Sequence, residues 1–180
     1  MNSPVRAIAA LVVAAVLSLA SPVSATTTRP VTVTELTRSS DDVIVGTVRR
    51  STSRWEGGFI VTDHEVEVES ALKGRLIAHA TIVVRVAGGV VGRIAQAIPG
   101  APALEDGRTY VLFLSGGIST ARYLAHMTAA VVPVTLDTAG RVQAGVPSSL
   151  MLTPASGVAA QRPMSVELDL VARSVRSVAP

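Results

Sequence analysis

Three histidines, His64, His79 and His126, and no cysteine bound the metal and nucleophilic chemistry open to this chain. His64-Glu65 opens like the HExxH zinc motif, in which two histidines one helical turn apart hold the metal beside a glutamate base. Position 68 is Val, and the segment alternates as a strand, where residues four apart share no helical face. No metal site is expected there. His64 has the parity of Val66 and Val68 and is expected as a partly buried structural histidine, His79 in a turn, His126 at the surface. Ser70-Ala71-Leu72-Lys73 matches the SxxK string of penicillin-recognising enzymes, but the SDN and KTG elements that complete such a site do not occur. No nucleophile elbow, phosphate-binding loop, dinucleotide fingerprint or calcium loop is present. No catalytic residue and no cofactor are therefore expected. The rival reading is a hydrolase that pairs His64 or His126 with Asp63 or Glu105.

Asp63, Glu65, Glu67 and Glu69 alternate along one segment. Such a ladder could hold Ca²⁺ or a basic partner; a half-exposed strand requires the same alternation for solvation alone, and that reading is preferred. Arg54, Trp55 and Phe59 form the best binding candidate, since Trp and Arg are enriched at interface hot spots. The competing role for Trp55 is to cap a barrel end against Phe59.

The elements that must position these residues are mostly strands. Asp42 to Trp55 and Phe59 to Leu72 read as two long strands around a three-residue turn, Glu56-Gly57-Gly58. That register sets Trp55 opposite Phe59, Ser51 opposite Asp63, Arg49 opposite Glu65, Val48 opposite Val66 and Thr47 opposite Glu67. It gathers Ile44, Val48, Ile60, Val66 and Val68 on one face and the four acids on the other. Val33 to Ser39 suggests a helical turn with Val33, Leu36 and Thr37 inward. Further strands are expected over Ala80–Ala87, Thr109–Ser115, Ala121–Thr128, Ala130–Asp137 and Arg141–Val146, with an edge or bulge at Pro133. A short helix over Arg93–Ile98 would interrupt the loop between Gly88 and Gly107. Ser165 would cap a last helix to about Val178, packed through Val166, Leu170, Val171, Val175 and Val178.

At the N-terminus, Arg6 precedes an unbroken apolar run from Ala7 to Leu17, then Ser21-Pro22 and a small-residue site at Val23-Ser24-Ala25. This reads as a signal peptide over residues 1–25, cleaved after Ala25. The run is too short to span a hydrocarbon core of roughly 30 Å, and no membrane span is expected after its removal. The 180 residues carry a net charge of +3, which loss of Arg6 reduces to fifteen basic against thirteen acidic groups. That field is weak for polyanions, and five aromatics are too few for a base-stacking groove, so no nucleic-acid partner is expected.

Three stretches carry a resemblance. They are Ser40-Asp41-Asp42-Val43-Ile44-Val45-Gly46-Thr47-Val48, Thr62 to Gly74 with its end Val66-Glu67-Val68-Glu69-Ser70-Ala71-Leu72-Lys73-Gly74, and Glu105-Asp106-Gly107-Arg108-Thr109-Tyr110-Val111-Leu112-Phe113-Leu114. Their order resembles a pattern in uncharacterised secreted bacterial proteins. More distantly it is similar to the OB-fold of tissue inhibitors of metalloproteinases and netrin-type modules. The resemblance covers roughly Ser40 to Leu114 and implies an OB-like fold and an inhibitor-like or partner-binding role. Those inhibitors chelate a protease metal through an N-terminal cysteine; here the expected mature start is Thr26, and no cysteine exists.

The expectation is a mainly β chain: a small closed or partly open antiparallel barrel, OB-like, with short helices including a C-terminal one. Residues 1–25 are the signal peptide, 26–146 the barrel domain, 147–164 a linker and 165–178 the final helix. The expected function is an exported, non-catalytic binding module, periplasmic or secreted, that engages another extracytoplasmic protein through Arg54, Trp55 and Phe59. An envelope structural component is the further alternative.

Overall fold

The computed structural model describes residues 31–116, 121–147, 150–151 and 164–178. The expected signal peptide, its cleavage site and most of the expected linker lie outside these residues. The fold is mainly β, with strands β1 (Val31–Thr32), β2 (Asp42–Glu56), β3 (Phe59–Lys73), β4 (Thr81–Ala87), β5 (Gly89–Val91), β6 (Ile94–Gln96), β7 (Thr109–Ser115) and β8 (Ala121–Leu124). After these come β9 (Val131–Leu136), β10 (Val142–Val146), β11 (Leu150–Met151) and β12 (Met164–Glu167). Helix α1 spans Val33–Ser39 and α2 spans Leu168–Arg176.

Strands β2, β3, β4, β8 and β7 pair in that order, and β7 returns to β2, closing a ring of five. This is the OB-like arrangement expected. Within the ring only β4–β8 is parallel; the other four pairings are antiparallel. Strand β7 divides its second edge. Thr109–Leu112 pair with β9, while Leu114 and Ser115 pair with β8. From β9 the sheet extends outside the ring through β10 to β12.

The alternation of β2 and β7 sorts their side chains into two cores. Ile44, Val48, Tyr110, Leu112 and Leu114 face the ring interior with Val66, Val68, Val84 and Val86. Val43, Val45, Val111 and Phe113 face outward onto a second core with Leu36 of α1 and Val171 and Val175 of α2. Helix α1 follows its expected bounds and buries Val33, Leu36 and Thr37; Thr32 and Glu35 bond reciprocally in a capping box. Lys73 Nζ donates to the carbonyls of Thr37 and Ser40, each at 2.7 Å, and ties the C-terminal end of α1 to β3.

The hairpin register departs from expectation in its outer half. The turn has two residues, Gly57 and Gly58, with φ of 58° and 87°, so Glu56 pairs with Phe59 and Trp55 with Ile60. A bulge between Val48 and Arg50 absorbs one residue and restores the expected pairs Val48↔Val66 and Thr47↔Glu67. Arg49 accordingly meets Glu67 at 2.7 Å rather than opposing Glu65, and Ser51 opposes His64 rather than Asp63.

Two further corrections concern element types and bounds. Arg93–Ile98 is not helical: Ile94–Gln96 pair with Gly89–Val91 in a short hairpin turned at Gly92. Residues 165–167 belong to β12, whose backbone pairs with β10, so the last helix starts only at Leu168. That helix buries Val171, Ala172 and Val175 and leaves Leu170 41% exposed. Pro133, which has no N–H to give, lies where the β9–β10 ladder has already ended at Val134↔Ala144.

Gly46 shares the inward parity of Ile44 and Val48 and is approached closely by β3. A Cβ there would stand 2.6 Å from Val66 Cγ1 and 3.0 Å from the Glu67 carbonyl. Replacing Gly46 by Ala should therefore cost about 1–3 kcal/mol through overpacking. Urea unfolding of the two proteins measures it, and an unchanged midpoint would remove the close approach as a constraint.

Candidate binding surface and cavity

The outer half of the β2–β3 hairpin leaves the ring as a two-stranded ribbon. Strand β7 pairs with β2 only from Asp42 to Thr47, and β4 pairs with β3 only as far as Val61. Beyond these limits the β2–β3 ladder carries Arg54, Trp55, Glu56, Phe59 and Ile60 without a third strand.

Directly opposed residues of an antiparallel pair point to the same side. The observed register therefore splits the three expected binding residues. Arg54, Glu56, Phe59 and Asp63 lie on the outer side; Ser51, Ser53, Trp55, Ile60, Thr62 and His64 lie on the inner side. Trp55 and Phe59 do not cap one another: they occupy opposite faces of the ribbon and are 49% and 61% exposed.

The outer face is ionic. Arg85 on β4 reaches Asp63 with Nε at 2.6 Å and Nη2 at 2.9 Å, and Glu56 with Nη1 at 3.1 Å. Arg54 contacts Glu56 and, at 3.4 Å, Asp63. The paired hydrogen bonds from Arg85, with the charges of Arg85 and Arg54, hold the Asp63 carboxyl below its ordinary range. The arginine is correspondingly raised, first by its bond to Asp63. Arg54 is thus a strut between strands as well as a surface cation.

The inner face is uncharged and hydroxyl-rich. Ser53 and Thr62 oxygens lie 2.9 Å apart, and Thr62 donates to the Gly88 carbonyl at 2.7 Å. The β5–β6 hairpin sits against this face. Ile60 N–H donates to Gln96 Oε1 at 2.6 Å, and a Cβ on Gly89 would strike the hydroxyls of Thr62 and Ser53. Below it lies a cavity of about 420 Å³, floored by Ser51, Ser53, Thr62 and His64 and walled by Val86, Ile98 and Leu104 among others. Exposed Val90 and Ile94 stand on the covering hairpin.

His64 is buried, and its Nδ1 lies 2.7 Å from Ser51 Oγ, which donates to Asp106 Oδ1 at 2.5 Å. Burial lowers the affinity of this imidazole for a proton, partly opposed by the charges of Asp106 and Asp63. The hydroxyl proton of Ser51 is committed to the carboxylate, so the arrangement fixes the histidine tautomer and does not present a serine poised to lose its proton to the ring.

The pairs of the hydrolase reading are not assembled. Asp63 faces Arg85 on the outside, Glu105 pairs with Arg108 at 3.0 Å, and His126 is exposed beside the short 3₁₀ turn at Thr128–Ala130. His79 is exposed, 3.7 Å from Glu67. Among the described residues no three His, Asp or Glu gather to hold a metal ion, and no helix is long and apolar enough to cross a membrane. Ser51 and Asp106 were not singled out by sequence, because a serine in a polar strand and an acid in a turn carry no spacing signal. No protein-family model and no curated protein matches the chain.

The imidazole gives a pH signature. Unfolded His64 takes a proton near the ordinary value of 6.5, whereas the folded ring stays neutral to lower pH. Stability is complete above about 6.5 and declines as pH falls from there to the folded value, by up to about 1.4 kcal/mol per unit. Urea unfolding between about pH 8 and about pH 5 should show this decline, and His64→Phe should flatten it. Parallel profiles would assign the decline to other groups.

Proposed function

We propose that the chain is an exported, non-catalytic binding module that engages another extracytoplasmic protein through its ribbon tip and the adjoining β5–β6 hairpin. The observation that supports this reading is the exposure of Trp55 and Phe59 on opposite faces of a ribbon supported by only two strands. Val90 and Ile94, 61% and 54% exposed, add apolar surface on the hairpin packed beside it. Exposed apolar side chains concentrated on one projection are typical of an interaction site. A narrow ribbon with an aromatic on each side suits insertion into a partner's groove, where both rings lose water.

Export rests on the leader over residues 1–25, and the Cys-free composition places the whole stability of the module on its two cores. Arg54 contributes by bracing the ribbon through Glu56 and Asp63. A partner that is itself an enzyme would make the module an inhibitor or regulator.

Cross-linking mass spectrometry on the native extracytoplasmic fraction tests this, with Trp55→Ala and Phe59→Ala compared with the unaltered protein. Each substitution should weaken capture of one partner by roughly 30-fold or more, the loss expected of about 2 kcal/mol at a hot spot. Melting temperatures should stay unchanged, since neither ring is in a core. Undiminished capture by the double variant would overturn the proposal.

A further inference from the structure

The cavity behind the ribbon has a hydrogen-bonding polarity that follows from proton accounting. A carboxylate has no proton to give, so Ser51 must donate to Asp106 and its single proton is spent. Its oxygen can then only accept from His64, so Nδ1 carries the ring proton of the neutral imidazole. Nε2 is left as a bare lone pair. Among the described residues it has no partner, although His64 is only 4% exposed and lines the cavity. Burial, which disfavours the imidazolium, agrees with the neutral form.

The neighbouring hydroxyls are committed in the same way. Thr62 donates to the Gly88 carbonyl, which obliges Ser53 to donate to Thr62. All three hydroxyl protons on the floor are therefore used, and the floor offers acceptors only: His64 Nε2 and the lone pairs of Ser53. The remaining side-chain donor of the lining is the amide nitrogen of Gln96, whose oxygen is held by Ile60 N–H. The rest of the lining is aliphatic, with no charged side chain. A volume of about 420 Å³ lies within the range of small-molecule sites.

We infer that this cavity binds an uncharged, largely apolar small molecule that donates one hydrogen bond, a ring hydroxyl or ring N–H, to His64 Nε2. The apolar walls supply most of the binding and are indifferent to the donor. The unpartnered lone pair supplies the selectivity, because an isostere without the donor displaces water from the site and leaves it unpaired. A charged ligand is disfavoured by a lining that has nothing to compensate its lost hydration. The inference requires nothing of the partner-binding reading: it rests on the hydrogen bonds of the cavity floor, although Val90 of the β5–β6 hairpin lines the cavity as well.

The test uses the full chain, ¹⁵N-labelled, titrated with phenol and separately with anisole, and cyclohexanol with methoxycyclohexane as a second pair. Phenol and cyclohexanol should shift the His64 Nε2 resonance saturably and bind at least about tenfold more tightly than their methyl ethers. His64→Phe, which keeps an apolar ring and removes the acceptor, should abolish that preference. Ala101→Trp, on the loop that walls the cavity, should weaken every probe and covers the case in which the His64 variant does not fold. No saturable shift with either hydroxyl compound would overturn the inference. So would equal affinity of hydroxyl and ether, or binding unaffected by Ala101→Trp.

Discussion

Seven consecutive residues of β2, Asp42–Val48, have no side open to solvent, and the rest of the molecule is arranged around them. Strands β3 and β7 take their two edges. The interior of the ring takes one face and the helix-covered core takes the other. A strand buried on both faces reads as a near-continuous apolar run, as Val43-Ile44-Val45 does. Its polar members are tolerated because each is bonded. Asp42 accepts from Arg75 N–H at 2.9 Å and faces Arg122 at 3.5 Å, while Thr47 meets Thr109 at 2.7 Å and also Glu69. Left unpaired, each such group would cost about 1–3 kcal/mol of its lost hydration.

The bulge beside Arg49 marks where that constraint ends. Before it, Val43–Thr47 have a strand on both edges; after it, β2 has a strand on one edge only. The same strand is thus a clamped base and a projecting tip. This division matters for recognition, because a tip held by a rigid base loses little conformational freedom when a partner closes on it. The bulge also decides which chemistry faces which way, since a slip of one residue exchanges the two faces of a strand.

Much of this was legible in the sequence where one principle acted alone. The inward spacing of Val33, Leu36 and Thr37 defined α1, although the capping box that starts it went unread, and the apolar run within Thr109–Ser115 defined β7. The alternation of acids from Asp63 to Glu69 set the pairs Thr47↔Glu67 and Val48↔Val66, but two further shifts, between Val45 and Gly46 and between Val43 and Ile44, move the innermost pairs off that register. Two glycines in a row permitted either a two- or a three-residue turn, and nothing in the side-chain pattern signals a bulge at Arg49; the side taken by Trp55 was lost with it. The β5–β6 hairpin is too short to show a period, and β12 depends on an edge of β10 more than a dozen residues away in the chain. The Ser51–His64–Asp106 chain joins two strands and a distant turn, which only the ring brings together.

The two faces of the ribbon differ in how they treat charge, and this limits how each can recognise anything. On the outer side two arginines, Arg54 and Arg85, meet two acids, Glu56 and Asp63, so the local sum is zero. Such a face exerts little long-range pull, and recognition by Phe59 beside it depends on contact rather than steering. On the inner side the hydroxyls and the imidazole spend their protons on one another and on Gly88 and Asp106. What survives there is a directional acceptor in an apolar setting, which discriminates by the position of a single proton. The ribbon therefore separates two modes of selectivity, shape on the outside and hydrogen-bond polarity within, and the one-residue bulge at its root keeps them on opposite sides.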